Sequence, residues 1–248
     1  GTCAPDACRR SLVRRAYLDL LGLPPTPAEI EAFVDDPDPN AWDALIDRLL
    51  TSPHYGERWG RHWLDVAGYA DSEGVTTQDA LRPWAYKYRD WVIRAFNRDM
   101  PFDEFIVWQL AGDELVERPL AQLDSDAVER LTATGFLRMA ADGTGSANTE
   151  EGRNQVVADT IKIVSSSLLG LSVGCAQCHD HRYDPISHVD YHRLRAVFEP
   201  ALDYRQWKTP PGRLISLLTD DEREASQKIE AEAQEKANER AAKQEEFM

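Results

Sequence analysis

The spacing of apolar residues predicts a helical chain. Leu12, Ala16 and Leu20 recur every four residues, which places them on one face of a helix over 11–21 that ends at Gly22. No segment of useful length alternates strictly between apolar and polar residues, so we expect little β-sheet. The fold class that follows is all-α: an irregular multi-helix domain with a charged C-terminal helix.

Local start signals predict further helices. Thr26 and Glu29 have the spacing of a capping box, with Pro27 at the first helical position. Another helix is predicted to begin at Ser52, with its buried side formed by Trp59, Trp63, Val66 and Ala70. Further helices are predicted over 84–96, from 102 to about 110, from Ser125 to about 139, and over 154–171.

The C-terminal segment differs in composition from the rest. Residues 219–248 are mostly Glu, Lys, Gln and Ala, and their apolar positions, such as Ile229 and Ala233, bury little surface. This composition is typical of a solvated helix or a weak coiled coil. The predicted organisation is a helical domain over residues 1–215, followed by a charged linker or coiled-coil helix over residues 216–248.

Charge and hydropathy exclude some partners. The net charge is -15 and the sequence pI is about 4.8. Nucleic-acid binding needs clustered Lys and Arg, so we expect no nucleic-acid partner and no binding to an anionic membrane surface. The longest apolar-rich stretch, residues 161–173, is interrupted by serines and a glycine, and we expect no membrane span.

Residues 175–179 carry the chemistry that stands out most in this sequence. Cys175 and Cys178, followed directly by His179, form the C-x-x-C-H pattern that attaches a c-type haem. In such a site two thiols form thioether bonds to the haem, and the histidine is the proximal ligand of the iron. The pattern predicts one covalent haem c. The alternatives are a redox or structural disulfide between the two cysteines, or part of a zinc site.

A second cysteine pair lies near the start of the chain. Cys3 and Cys8 are followed by Arg9, where a haem motif requires histidine, so we expect a local disulfide in an oxidising compartment. Covalent haem attachment normally takes place outside the cytoplasm, which agrees with that disulfide. Residues 1–8 have neither the basic start nor the apolar core of a signal peptide, so we expect a mature chain or a part of a longer one.

The second axial ligand would separate an electron carrier from a catalyst. His62 lies on the predicted Trp-rich helix, with Asp65 three residues later, and is either a possible distal ligand of the iron or a core histidine. His181 is too close to His179 to reach the opposite face, and is expected to bond the backbone or a haem propionate. The remaining candidates are Met139, His54, His188 and His192, and an open iron position is a further alternative.

Two groups of carboxylates are candidate sites. Asp180, Asp184 and Asp190 follow the cysteine motif and form either a cation site or a set of turn and capping residues. Asp71, Glu73 and Asp113 would have to pair across space to serve in glycoside chemistry, and no catalytic motif surrounds them.

Several long runs resemble one known family. They are Tyr17–Pro27, Ser52–Trp59, His62–Asp65 and Cys178–Ile186. Over residues 10–205 the chain resembles the planctomycete-type cytochrome-associated domain of unknown function, which lies between a cytochrome-c-like domain and another uncharacterised domain. The resemblance implies export to the periplasm or cell surface, and partners within a longer protein. Gly68 stands where that family commonly has Arg.

Three functions from different classes follow. The first is an exported mono-haem c-type domain with a redox role, transferring electrons to other domains of the same protein or to a redox partner. The second is a haem enzyme, peroxidase-like or oxygenase-like, with an open distal site acting on an exported substrate such as a polysaccharide. The third is a haem-free interaction domain with a Cys175–Cys178 disulfide. We expect a haem domain with a redox role, and we rank electron transfer only slightly above catalysis.

Overall fold

A computed structural model describes residues 7–74, 79–118, 120 and 122–246. These residues form ten α-helices and no β-strand, with one isolated bridge between Ser72 and Leu81. The all-α prediction is therefore confirmed. The helices are α1 (Arg9–Leu20), α2 (Pro27–Asp35), α3 (Ala41–Leu50), α4 (Pro53–Ala67), α5 (Ala85–Asn97), α6 (Phe102–Ala111), α7 (Ser125–Ala133), α8 (Glu150–Val164), α9 (His188–Leu202) and α10 (Asp220–Glu246).

The predicted start of α2 is confirmed in detail. Glu29 N–H donates to Thr26 Oγ1 over 3.3 Å, and Thr26 N–H donates to Glu29 Oε2 over 2.7 Å. Pro27 occupies the first turn, where its missing N–H costs no hydrogen bond. The sequence signal works here because both partners of the cap lie within four residues.

Two predicted helices have different bounds. α7 is capped by Asp124, whose Oδ1 accepts from Ala127 N–H over 2.8 Å, and it tightens after Ala133 into a 3-10 turn over Thr134–Arg138. α8 begins at Glu150 rather than 154, because Thr149 caps it. It ends at Val164 in a π-helical turn over Ser165–Leu169 rather than continuing to 171.

The buried apolar residues form two clusters. The first joins α1, α2 and α3 and consists of Val13, Ala16, Tyr17, Phe33, Ala41, Leu45 and Leu49. The second is larger and joins α4 to α9, with Trp63, Trp91, Phe105, Phe136, Ile161 and Tyr191 among its largest members. That residues 1–215 form a single domain stays a prediction.

Two glycines allow α4 and α5 to pack closely. A Cβ added to Gly56 would lie 2.4 Å from the Ile93 carbonyl oxygen, and one added to Gly60 would lie 3.4 Å from Ile93 Cγ1. Gly56 N–H also donates to Asn97 Oδ1 over 2.8 Å. Any side chain at position 56 would therefore force the two helices apart.

The predicted buried side of α4 was wrong in part. Trp59 and Val66 are 37% and 50% exposed, and Ala70 lies beyond the end of the helix. The buried positions are Gly56, Gly60, Trp63, Leu64 and Ala67. Because two of these five buried positions are glycines, a pattern of large apolar residues alone points to the wrong face.

The sequence predicts a helix that continues through Ala70, with Gly68 in its interior. In the structure Gly68 instead ends α4 as its C-cap. Its φ of +73° is left-handed, a conformation in which glycine is favoured over other residues. A Cβ here would lie 3.2 Å from Ile163 Cδ1. The close contact at this position is therefore with α8.

A buried hydrogen-bond triad connects α4, α5 and α6. Trp63 Nε1–H donates to both Tyr88 OH, at 2.9 Å, and Gln109 Oε1, at 3.0 Å. Tyr88 OH donates in turn to Gln109 Oε1 over 2.6 Å. Burial raises the pKa of Tyr88 well above its ordinary value, so its hydroxyl stays protonated and available to donate.

Two buried ion pairs hold the segment between α7 and α8. Arg82 contacts Glu73 Oε2 at 2.7 Å and also donates to the Ala140 carbonyl at 2.6 Å. Arg213 contacts Asp142 Oδ2 at 2.5 Å. Each carboxylate is largely buried and has a cationic partner, as burial of a charge requires.

The charged tail forms a helix, as predicted. α10 has 27 residues, and its described side chains are almost all exposed, including Ile229 at 68%. Among the described residues, no helix is long and apolar enough to span a membrane.

The triad predicts a specific stability loss. Replacing Gln109 by Met keeps the volume but leaves the Tyr88 hydroxyl without an acceptor, so the free energy of unfolding should fall by about 1–3 kcal/mol. Urea unfolding measures this change. Gln234→Met on exposed α10 is the control and should change stability by less than about 0.5 kcal/mol. Equal losses in the two variants would contradict the role of the triad.

Candidate haem-attachment site

The cysteine motif begins on a 3-10 turn over Val173–Gln177, and Cys178 and His179 follow the turn directly. Such a turn has three residues per turn, so side chains three positions apart lie on the same edge. Val173 and Ala176 share one edge and are buried in the main core, at 5% and 0% exposure. Cys175 and Cys178 share another edge, and both are exposed free thiols. The buried edge therefore fixes both thiols on one side of the turn, facing solvent.

The chain reaches this turn through an abrupt end to α8. The π turn over Ser165–Leu169 is followed by Gly170, whose φ of +64° is left-handed. Leu171 N–H then bonds back to the Ser165 carbonyl over 3.2 Å. The motif packs against α8 on one side and α9 on the other. Two long helices thus support an otherwise irregular segment.

His179 is exposed directly after the second thiol. Its Nδ1 donates to the Asp180 carbonyl over 2.8 Å. Because a neutral imidazole has one N–H, this bond leaves Nε2 with the lone pair that a metal would need. A ligating histidine usually has this arrangement, since a backbone carbonyl on the other nitrogen fixes its tautomer and orientation. The donor set therefore fits a c-type haem: two accessible thiols and one available imidazole nitrogen.

His181 has a different role, because both of its nitrogens are already used. Its Nδ1 accepts from the backbone N–H of Tyr183 at 3.2 Å and of Asp184 at 2.8 Å. The remaining nitrogen, Nε2, bonds Ser172 Oγ at 3.0 Å. The side chain is only 6% exposed. The backbone was one of the two partners expected for His181, and the structure shows it. The imidazole also connects the loop after the motif to Ser172, which precedes the 3-10 turn.

Two of the three aspartates of the segment, Asp180 and Asp190, hold backbone groups at the start of α9, and Asp184 lies beside His181. Asp180 Oδ1 accepts from His188 N–H, at the start of α9, over 2.7 Å. Asp190 completes a capping box with Ser187, and the bonds from that serine lower the pKa of the Asp190 carboxyl. Asp184 Oδ2 lies 3.4 Å from His181 Nδ1. No group of three or more metal-ligating side chains occurs in the described part of the chain.

The candidate distal ligands lie elsewhere. His62 is exposed on α4, and its ring lies 5.4 Å from that of Trp59. Met139 is buried in the main core. Within the described residues, none of the recorded polar or ring contacts joins His62 to Cys175, Cys178 or His179. The Cys3–Cys8 disulfide stays a prediction, because Cys3 lies outside the described residues.

The acidic residues considered for glycoside chemistry have separate partners. Glu73 pairs with Arg82, Asp71 accepts from Tyr69 OH at 2.6 Å, and Asp113 lies 3.5 Å from Arg118. None of these recorded contacts brings two of the three carboxylates together. They therefore lend no support to a hydrolytic pair.

The residues that sequence reasoning missed are those that support the motif. Ser172 and Ser187 bond the loop, and Val173 with Ala176 hold the turn in the core. A signal was present, because the apolar pair and the cysteine pair have the same three-residue spacing. In a 3-10 turn this spacing places the apolar pair on one edge and the cysteine pair on another.

Comparison with known families decides the relationship. A family model described as PSCyt2, protein of unknown function (DUF1549), matches residues 2–203. The chain belongs to this family. The PSCyt2 match includes the whole cysteine site and ends one residue after α9, so α10 lies outside it. Neither a curated protein nor a solved structure matches the chain.

The bonds of His181 predict a local destabilisation. His181→Ala leaves two backbone N–H groups and the Ser172 hydroxyl without their partner, and should lower the free energy of unfolding by about 1–3 kcal/mol. The amides of Tyr183 and Asp184 should exchange with solvent faster, as measured by hydrogen exchange and NMR. His181→Asn keeps an acceptor near Nδ1 and should restore part of the protection. Unchanged exchange at both amides in His181→Ala would contradict this role.

Proposed function

We propose that this PSCyt2 domain binds one haem c through thioether bonds from Cys175 and Cys178, with His179 Nε2 as proximal ligand, and that it has a redox role in an exported protein. The observation that carries the proposal is the placement of both thiols on one exposed edge of a turn whose opposite edge is buried. The free Nε2 of His179 supports the same assignment.

When bound, a haem supplies a one-electron redox couple. The residues of the chain supply attachment and orientation: Val173 and Ala176 hold the turn, and the Asp180 carbonyl holds the His179 ring. His181 joins the flanking segments, so the three attaching residues lie on a braced loop. These contacts are those expected of a site that is preorganised for haem attachment.

The exposure of the site favours electron transfer over catalysis in an enclosed pocket. Cys175, Cys178 and His179 are all exposed, so a group attached there is accessible to a second protein surface. Two open surface cavities are lined by other segments, one by Arg94, Asn97, Arg98 and Glu129, and the other by residues between 115 and 130. The proposed partner is another domain of the same longer protein or a separate redox protein.

A haem-free interaction domain is the second candidate, and the same geometry favours it. Two thiols on one edge of a turn are positioned to react with each other as well as with a haem. In this case oxidation would form the Cys175–Cys178 disulfide. The two candidates differ in the mass and the spectrum of the purified protein.

Covalent attachment is tested by mass. After expression in a host that matures c-type cytochromes, the intact chain should have the polypeptide mass plus one haem, and the haem should remain through acid-acetone extraction. The Cys175→Ser/Cys178→Ser variant is the matched control and should have the bare polypeptide mass. A mass without haem for the unaltered chain would refute the haem, and a loss of two hydrogens that the Cys175→Ser/Cys178→Ser variant does not share would favour the Cys175–Cys178 disulfide.

His62 is a candidate distal ligand of the iron, and a structural role is the alternative. It is exposed on α4, and α4 contacts the π turn that leads to the site. His62→Ala should change the spin state and increase the rate of carbon monoxide or cyanide binding, while the covalent haem remains. His54→Ala, another exposed histidine on α4, should change neither. An unaltered spectrum in His62→Ala would return His62 to a structural role.

A further inference from the structure

A second pair of chemically active side chains lies at the start of α9. His188 is the first residue of this helix, and His192 follows one turn later. Their Nε2 atoms lie 3.0 Å apart in a hydrogen bond, in which one nitrogen donates its N–H to the other, so an ion that binds both takes the place of that proton. The rings meet edge to face with centroids 4.5 Å apart. Residues four apart share one helix face, which explains why the two imidazoles meet.

The separation of the two nitrogens matches a pair of metal ligands. Zinc and similar ions bind imidazole nitrogen at about 2.0–2.1 Å. With the nitrogens 3.0 Å apart, an ion at that distance from both would have an N–metal–N angle of about 95°. This angle suits neighbouring ligands in square-planar or octahedral coordination rather than a tetrahedral site. Two histidines at this spacing on one helix face are an established way to bind such ions.

We propose that His188 and His192 form a binding site for one late transition-metal dication, with Cu²⁺ or Ni²⁺ preferred over Zn²⁺. Imidazole suits all three ions, and the narrow angle favours the two with square-planar or octahedral geometry. The described residues contain no group of three or more metal-ligating side chains, so water completes the coordination. This site does not depend on the proposed haem, which uses other residues.

The pair is held in place before any ion binds. Asp180 Oδ1 accepts from His188 N–H over 2.7 Å, and the Ser187–Asp190 capping box fixes the first turn of α9. Tyr191 is fully buried, and its ring lies 5.2 Å from that of His192. Because the backbone and one ring are already ordered, less conformational entropy is lost on binding. The surface exposure of His192 leaves the site open to ions from solvent.

The test measures metal binding to the full chain after removal of the two thiols of the C-x-x-C-H motif. Calorimetric titration of the Cys175→Ser/Cys178→Ser chain with Ni²⁺ or Cu²⁺ should give one site per chain. His188→Ala or His192→Ala should each weaken it about 100-fold, because the second imidazole binds as an intramolecular ligand. His54→Ala removes an exposed histidine that pairs with Glu57 and should leave the affinity unchanged.

Thermal unfolding gives an independent readout. An ion that binds only the folded chain raises its melting temperature, and a chelator should reverse that rise. Both histidine variants should lose the rise while keeping the circular dichroism spectrum of the parent, and His192→Gln serves if an alanine variant fails to fold. The proposal is overturned if the parent binds no ion, or if the histidine variants bind as tightly as His54→Ala.

Discussion

The burial of Val173 and Ala176 on one edge of a single turn decides where the reactive groups of this domain lie. With three residues per turn, burying that edge directs Cys175 and Cys178 toward solvent without any further contact. The core has no room to spare at Ala176, which is fully buried. A larger residue at this position would push the turn outward and disturb the thiols together with the core.

The segment after the turn is organised by side chains rather than by regular secondary structure. His181 holds the loop together, because its two nitrogens bond the Ser172 hydroxyl before the turn and the backbone N–H groups of Tyr183 and Asp184 after it. Asp180 and Ser187 then connect the loop to the first turn of α9. As a result, the same loop positions both the cysteine motif and the His188–His192 pair, although the two sites use different side chains.

The sequence predicted the features whose partners lie close together along the chain. The capping box at Thr26 and the helical class needed only local patterns, and the structure has both. The buried face of α4 was predicted wrongly in part, because Gly56 and Gly60 allow the close contact with α5 by lacking side chains. The bond between His181 and Ser172 could not be predicted, since the two residues lie nine positions apart and no single regular helix connects them. Local patterns were therefore predictable, and the contacts that support the cysteine motif were not.

The exposed character of α10 has a consequence for how the chain responds to heat. Its described side chains bury almost nothing, and it is stabilised by a capping interaction between Thr219 and Glu222 and by local pairs such as Glu224–Lys228. A helix that depends on such local terms melts gradually, whereas a packed body unfolds cooperatively. Helical signal from α10 should therefore decline over a broad, salt-sensitive range before the core unfolds.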